Sequence, residues 1–98
     1  FGLTSLTNLS LANNFLRALS SKHFRSLKHL IELDLSFNRL TQLDADLFQP
    51  LQNLQILYLN MNPLATIHSQ TFRWLDDLRE VHLYGVDLIH SNHFQWLW

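Results

Sequence analysis

The sequence predicts an α/β-type solenoid: a right-handed horseshoe segment with a parallel sheet of about four short strands on the concave side and turns and short 3₁₀ segments on the convex side. Three observations carry this reading. A block of 24 residues opens at Leu6, Leu30, Leu54 and Leu78. The openings share one pattern, LxxLxLxxNxL, as Leu6-Leu9-Leu11-Asn14-Leu16, Leu30-Leu33-Leu35-Asn38-Leu40 and Leu54-Leu57-Leu59-Asn62-Leu64. The fourth copy keeps Leu78, Val81, Leu83 and Leu88 but has Val86 in place of the asparagine. Self-similarity at a fixed period of roughly 20–29 residues marks a stack of supersecondary units, none of which buries its apolar face alone.

Each element follows from its residues. Alternation at LxL puts leucines on one side of a short strand and polar residues on the other. Stacked blocks then form a parallel sheet with strands about 4.8 Å apart, in which Leu33 and Leu35 pack on Leu57 and Leu59. Burial of one leucine stabilises by roughly 1.5–3 kcal/mol. Asn14, Asn38 and Asn62 fall where strand becomes loop, where a carboxamide both donates to and accepts from backbone groups of adjacent coils. This is the expected structural asparagine ladder, and Val86 interrupts it. Leu19, Leu43 and Ile67 supply a further apolar position in the loop, and Phe24, Phe48, Phe72 and Phe94 are expected to stack as an aromatic spine beneath the convex side. Ser20–His23, Asp44–Leu47 and Ser69–Thr71 suit turns or short 3₁₀ segments better than long helices. Pro50 and Pro63 sit in these connections, where no ladder donor is lost.

The expected organisation is a single repeat array over 1–98: the end of a preceding repeat at 1–5, repeats at 6–29, 30–53 and 54–77, and an atypical, shortened last repeat at 78–98, with caps absent. Phe1-Gly2-Leu3 enters in mid-repeat, and Phe94-Gln95-Trp96-Leu97 nearly repeats Phe72-Arg73-Trp74-Leu75, so the chain reads as a stretch of a longer array. Apolar residues make up 47% and charged residues 15%, an ordinary balance for one small folded unit, and the net charge of −1 predicts no steering field for nucleic acid or anionic lipid. No run of about 18 apolar residues and no basic, then apolar, leader is present, so neither a membrane span nor a signal peptide is expected within the segment.

The full block, LxxLxLxxNxLxxLxxxxFxxLxx, resembles the typical 24-residue leucine-rich repeat of extracellular animal proteins. Toll and Toll-like receptor ectodomains, lamprey variable lymphocyte receptors, small proteoglycans and neuronal adhesion proteins share it. The Gly-x-Ile-Pro stretch of plant-type blocks is missing, bacterial effector repeats are shorter, and ribonuclease-inhibitor repeats are longer and helical. The resemblance covers essentially the whole chain. It implies a secreted or cell-surface recognition array, an extracellular location, and ligand contacts mostly on the concave sheet. Such arrays usually carry disulfide-bonded caps, and this chain has no cysteine.

The register assigns the outward positions of that sheet. Block one is small and polar there (Thr7, Asn8, Ser10, Ala12, Asn13), whereas the later blocks display Phe37, Ile56, Tyr58, Met61 and Tyr84 among Glu32, Asp34, Glu80 and His82. Aromatics and methionine among charges are the material of interface cores. The expected ligand site is therefore Glu32, Asp34, Phe37, Ile56, Tyr58, Met61, Glu80, His82 and Tyr84, taking a protein ligand or co-receptor; single apolar residues on a surface are also ordinary. Four strands project only on the order of 300 Å² against about 800 Å² per partner in a standard interface. A footprint on this segment alone is thus weak or partial.

Other signals carry less. Asn8-Leu9-Ser10 is a glycosylation sequon that also coincides with the block's own x-Leu-x. His90 and His93 lack the three or four converging ligands zinc needs and read as loop surface. His82 near Glu80 and Asp34 is thin support for a pH switch. With two glycines there is no phosphate loop, and no catalytic constellation is seen, so neither an enzyme nor a cofactor is expected. Trp74, Trp96 and Trp98 read as convex-side packing. The leading expectation is a non-enzymatic protein-recognition module of innate-immune or developmental signalling type, with no nucleic acid partner and no membrane contact. The alternatives are a structural or matrix spacer, a self-associating array, or an excised repeat fragment whose exposed Leu3, Leu9, Trp96 and Trp98 drive self-association.

Overall fold

The computed structural model describes residues 2–86. Phe94, Trp96, Trp98, His90, His93 and the shortening between Leu88 and Phe94 lie outside them. After a 3₁₀ turn at Gly2–Ser5, four strands follow at the 24-residue period: β1 (Asn8–Ser10), β2 (Glu32–Asp34), β3 (Ile56–Tyr58) and β4 (Glu80–His82). They form one parallel sheet in the order β1-β2-β3-β4, paired Leu9↔Leu33, Leu33↔Leu57 and Leu57↔Val81. The fold is a leucine-rich repeat solenoid segment.

The core lies directly behind the sheet. Leu33, Leu35, Leu57 and Leu59 are fully buried, with Leu40, Leu43, Leu64 and Ile67 beneath them. Leu9, Leu11, Val81 and Leu83 pack on this cluster but are only partly buried, because they flank it on the outer coils. On the far side Phe24, Phe48 and Phe72 stack at centroid separations of 6.4 and 6.1 Å. The same pair of turns follows each ring, with Leu27, Leu51 and Leu75 donating to the phenylalanine carbonyls and Leu30, Leu54 and Leu78 donating to those leucines. One 3₁₀ segment, Ser21–Phe24, forms among these loops, and the equivalent stretches of the next two coils are turns. Trp74 packs on the cluster and donates its indole N–H to the Ala45 carbonyl at 3.0 Å.

The asparagines tie coil to coil. Asn62, only 1% exposed, donates to the Leu35 carbonyl of the preceding coil (2.9 Å) and to Leu59 of its own (3.1 Å), and its Oδ1 accepts from the Leu40 N–H. Asn38 does the same one coil earlier, donating to Leu11 and Leu35 while its Oδ1 accepts from Asn14 and Leu16. Asn14 stands apart. It is exposed, and its carboxamide bonds only Leu11 and Ala12 of its own coil, because β1 is the first strand of the sheet.

At the fourth coil Val86 offers no carboxamide, and the chain adjusts. The Leu64 N–H, whose equivalents at Leu16 and Leu40 reach the next coil's asparagine, turns back to the Asn62 carbonyl at 2.8 Å. The Leu59 carbonyl keeps its own Asn62, whereas the Leu11 and Leu35 carbonyls each serve two asparagines. Val86→Asn restores the missing donor and acceptor. A net hydrogen bond contributes about 0.5–1.5 kcal/mol, so the variant's denaturation midpoint should rise accordingly. An unchanged or lowered midpoint would mean that the local turn at Leu64 already satisfies the coil.

Candidate functional site

The strand register aligns side chains in rows across the sheet's open face. One row is Asn8, Glu32, Ile56 and Glu80; the next is Ser10, Asp34, Tyr58 and His82. Pleating sends these residues away from the leucines on either side of them, so each strand alternates core and open-face positions. Tyr58 and His82, directly opposed on neighbouring strands, stack with ring centroids 4.5 Å apart and planes 14° off parallel. His82 Nε2 lies 3.7 Å from Glu80 Oε1, beyond hydrogen-bonding distance, and that nitrogen is buried without a hydrogen-bond partner. Asp34 is bound locally: its Oδ1 accepts from the Ser36 hydroxyl (2.6 Å) and N–H (2.9 Å), which closes the turn after β2.

A rim forms where the strands end. Asn13, Phe37, Met61 and Gly85 occupy equivalent positions, and all have positive φ, between 57° and 77°. The first three donate their N–H to the carbonyl of the following coil, which extends the ladder and holds the left-handed turn in place. Left-handed backbone is rare for bulky residues and costs of order 1–3 kcal/mol per site. Phe37 and Met61 accept it while remaining 52% and 41% exposed, so the core gains little from them. Gly85 suits its conformation, and any Cβ there would run into Met61 Sδ. Tyr84, 81% exposed, completes the rim, its N–H donating to Asn60 Oδ1.

One further exposed aromatic follows the asparagine position instead of preceding it. Phe15 is 69% exposed and lies under the Arg39 guanidinium, 4.7 Å from its centroid. The visible signal is a phenylalanine at a block position that is otherwise Arg39 and Pro63. Of the other candidates, Glu32 and Ile56 are half-buried in the face, Glu80 is exposed at its far strand, and Asn8 is exposed on β1. Among the described residues no group of three or more His, Cys, Asp or Glu could hold a metal ion, and no helix is long and apolar enough to cross a membrane.

The leucine-rich repeat family model matches residues 4–64 and again 32–88. The chain belongs to the leucine-rich repeat family. That family is generally a non-enzymatic protein-interaction fold. Among solved structures the chain is similar to TLR13, determined in a complex with ssRNA13. The identity is 31% and the TM-score 0.74 over 82% of this chain, which spans only 11% of that one. No curated protein matches it. This repeat segment is thus a protein-interaction module of the kind found in Toll-like receptors.

The electrostatics of the face have a readable consequence. Loss of solvent around its ring raises the Tyr58 hydroxyl above its ordinary 10.0, and Glu32, Glu80 and Asp34 push it further the same way. A raised folded-state value favours the neutral phenol. Its contribution to stability is complete below pH 10 and is lost as pH climbs through the folded value. In a Tyr84→Phe background, phenolate absorbance should therefore titrate above the unfolded reference, and Glu32→Gln should bring it down. Titration at or below the reference in the folded protein would contradict this placement.

Proposed function

We propose that residues 1–98 form a single repeat array that binds a protein partner on the concave face of the sheet through Phe37, Tyr58, Met61 and Tyr84, with Glu32, Ile56, Asp34, Glu80 and His82 around them. The observation that carries this is the row of exposed or strained apolar side chains beside the Tyr58–His82 stack, which the core does not need. Backbone strain held at exposed positions tends to cluster where function keeps it. Aromatics and methionine in a polar surround are the composition of interface centres.

The charge of the face selects the partner. Its strand positions carry Glu32, Asp34 and Glu80, with Arg79 just ahead of β4 at the position equivalent to Thr7. Phosphate backbones are bound by Lys and Arg, so this face disfavours nucleic acid and suits a protein segment that offers basic side chains to the carboxylates and an apolar ridge to the rim. ssRNA13 is the partner of TLR13 in its complex and is not carried over to this face. The setting that fits is an extracellular or cell-surface ectodomain with a receptor role in innate-immune or developmental signalling, without catalysis. Asn8, exposed on β1, is open to the glycan its sequon implies, at the end of the face away from the aromatics.

The test is affinity capture from extracellular fluid with the array in its parent context, beside Phe37→Ala/Tyr58→Ala and Glu32→Lys/Glu80→Lys. Loss of one partner from both variants, at tenfold or more, is the expected outcome, with single-stranded RNA bound by the wild type no better than by the aromatic variant. The same partners on all three proteins would sink the site and favour a spacer role.

A further inference from the structure

The net charge of −1 conceals a segregation along the chain. The first acidic residue is Glu32; Arg17, Lys22, Arg25 and Lys28 all precede it, and the remaining three cations share the rest of the sequence with eight carboxylates. Three of the early basic residues meet at one place. Arg25, Lys28 and His29 of the first coil line a cleft of about 520 Å³ whose other wall is Gln49, Gln52 and Asn53 of the second.

The 24-residue register explains why the cleft is built this way. Arg25, Gln49 and Arg73 are equivalent positions, as are Lys28, Gln52 and Asp76, and His29, Asn53 and Asp77. At the last two of these positions the edge grades from Lys28-His29 in the first coil, through Gln52-Asn53 in the second, to Asp76-Asp77 in the third, while the first position returns to a cation at Arg73. Pro50, half-buried, floors the second wall, and the other six side chains are exposed. Neither Arg25 nor Lys28 has a carboxylate partner among the described residues. Asn53 clasps the two coils by donating to the Lys28 carbonyl at 2.8 Å, so the walls are fixed relative to each other.

We propose that this cleft binds a sulfated polysaccharide, with Arg25 and Lys28 pairing to sulfates, Gln49 and Gln52 hydrogen-bonding hydroxyls or sulfate oxygens, and Asp76-Asp77 ending the track at the third coil. Guanidinium and ammonium groups give charge-assisted bonds to oxyanions. Single-stranded nucleic acid is the poorer fit, because its binding grooves add successive aromatic platforms for the bases, whereas no Phe, Tyr or Trp lines this cleft and His29 is its one ring. The site is separate from the acidic concave face and stands or falls independently of it.

The experiment is calorimetric binding of heparin, completely desulfated heparin and a single-stranded RNA of matched length to the 98-residue chain. It compares Arg25→Gln/Lys28→Gln with Arg17→Gln/Arg39→Gln, a pair that removes the same charge from a different cleft. Circular dichroism verifies that every variant is folded. Heparin affinity should fall about tenfold in the first pair and no more than about twofold in the second, with the salt slope reduced by about 1.5, as expected for two lost anion contacts. Desulfated heparin should not bind. Equal losses in both pairs, equal binding of desulfated heparin, RNA bound as tightly as heparin, or no binding of any probe would each overturn the assignment.

Discussion

The buried asparagine carboxamides are the interaction on which the rest of the structure depends. Leucine stacking supplies most of the stabilisation and fixes which face of each strand is buried, since a one-residue slip would turn Leu33, Leu35, Leu57 and Leu59 outward. Asn38 and Asn62 add directional bonds that tie each coil to the one before it. Each donates to the carbonyl of a leucine in its own coil and to the equivalent carbonyl one coil earlier, while its oxygen accepts from the earlier coil's loop. A buried polar group left unsatisfied costs about 1–3 kcal/mol, so a register shift is opposed at several atoms at once.

With register set, the open face is determined residue by residue. Every second strand position looks outward, and pairing brings Asp34, Tyr58 and His82 into one row and Glu32, Ile56 and Glu80 into another. The turn after each strand also takes left-handed backbone at the residue before the asparagine position, Gly85 before Val86 included, which projects Phe37 and Met61 along the rim. The same period sets the edge, where Lys28, Gln52 and Asp76 follow one another in equivalent positions of successive coils. Core, face and edge are thus three readings of one spacing.

Much of this was legible in the sequence because it depends on period alone: the parallel sheet, the leucine layers and the stacking of Phe24, Phe48 and Phe72. What was not legible depends on local chemistry that a period averages away. Leu64 turning to the Asn62 carbonyl is a response to one missing carboxamide, and the commitment of Asp34 to Ser36 is a two-residue contact. Phe15 escaped because the register template treats its position as polar. The basic edge escaped because a net charge sums over a chain whose two signs are separated in space.

The most direct measurement is native-state hydrogen exchange at the Leu40 amide in Asn62→Ala, alongside global stability. The expected result is a loss of about 1–3 kcal/mol, with faster exchange at Leu40 and weakened ring-current shifts between Phe48 and Phe72 as the second and third coils lose their shared register. Unchanged protection at Leu40 and an intact Phe48–Phe72 stack, at wild-type stability, would contradict it and return control of the register to the leucines.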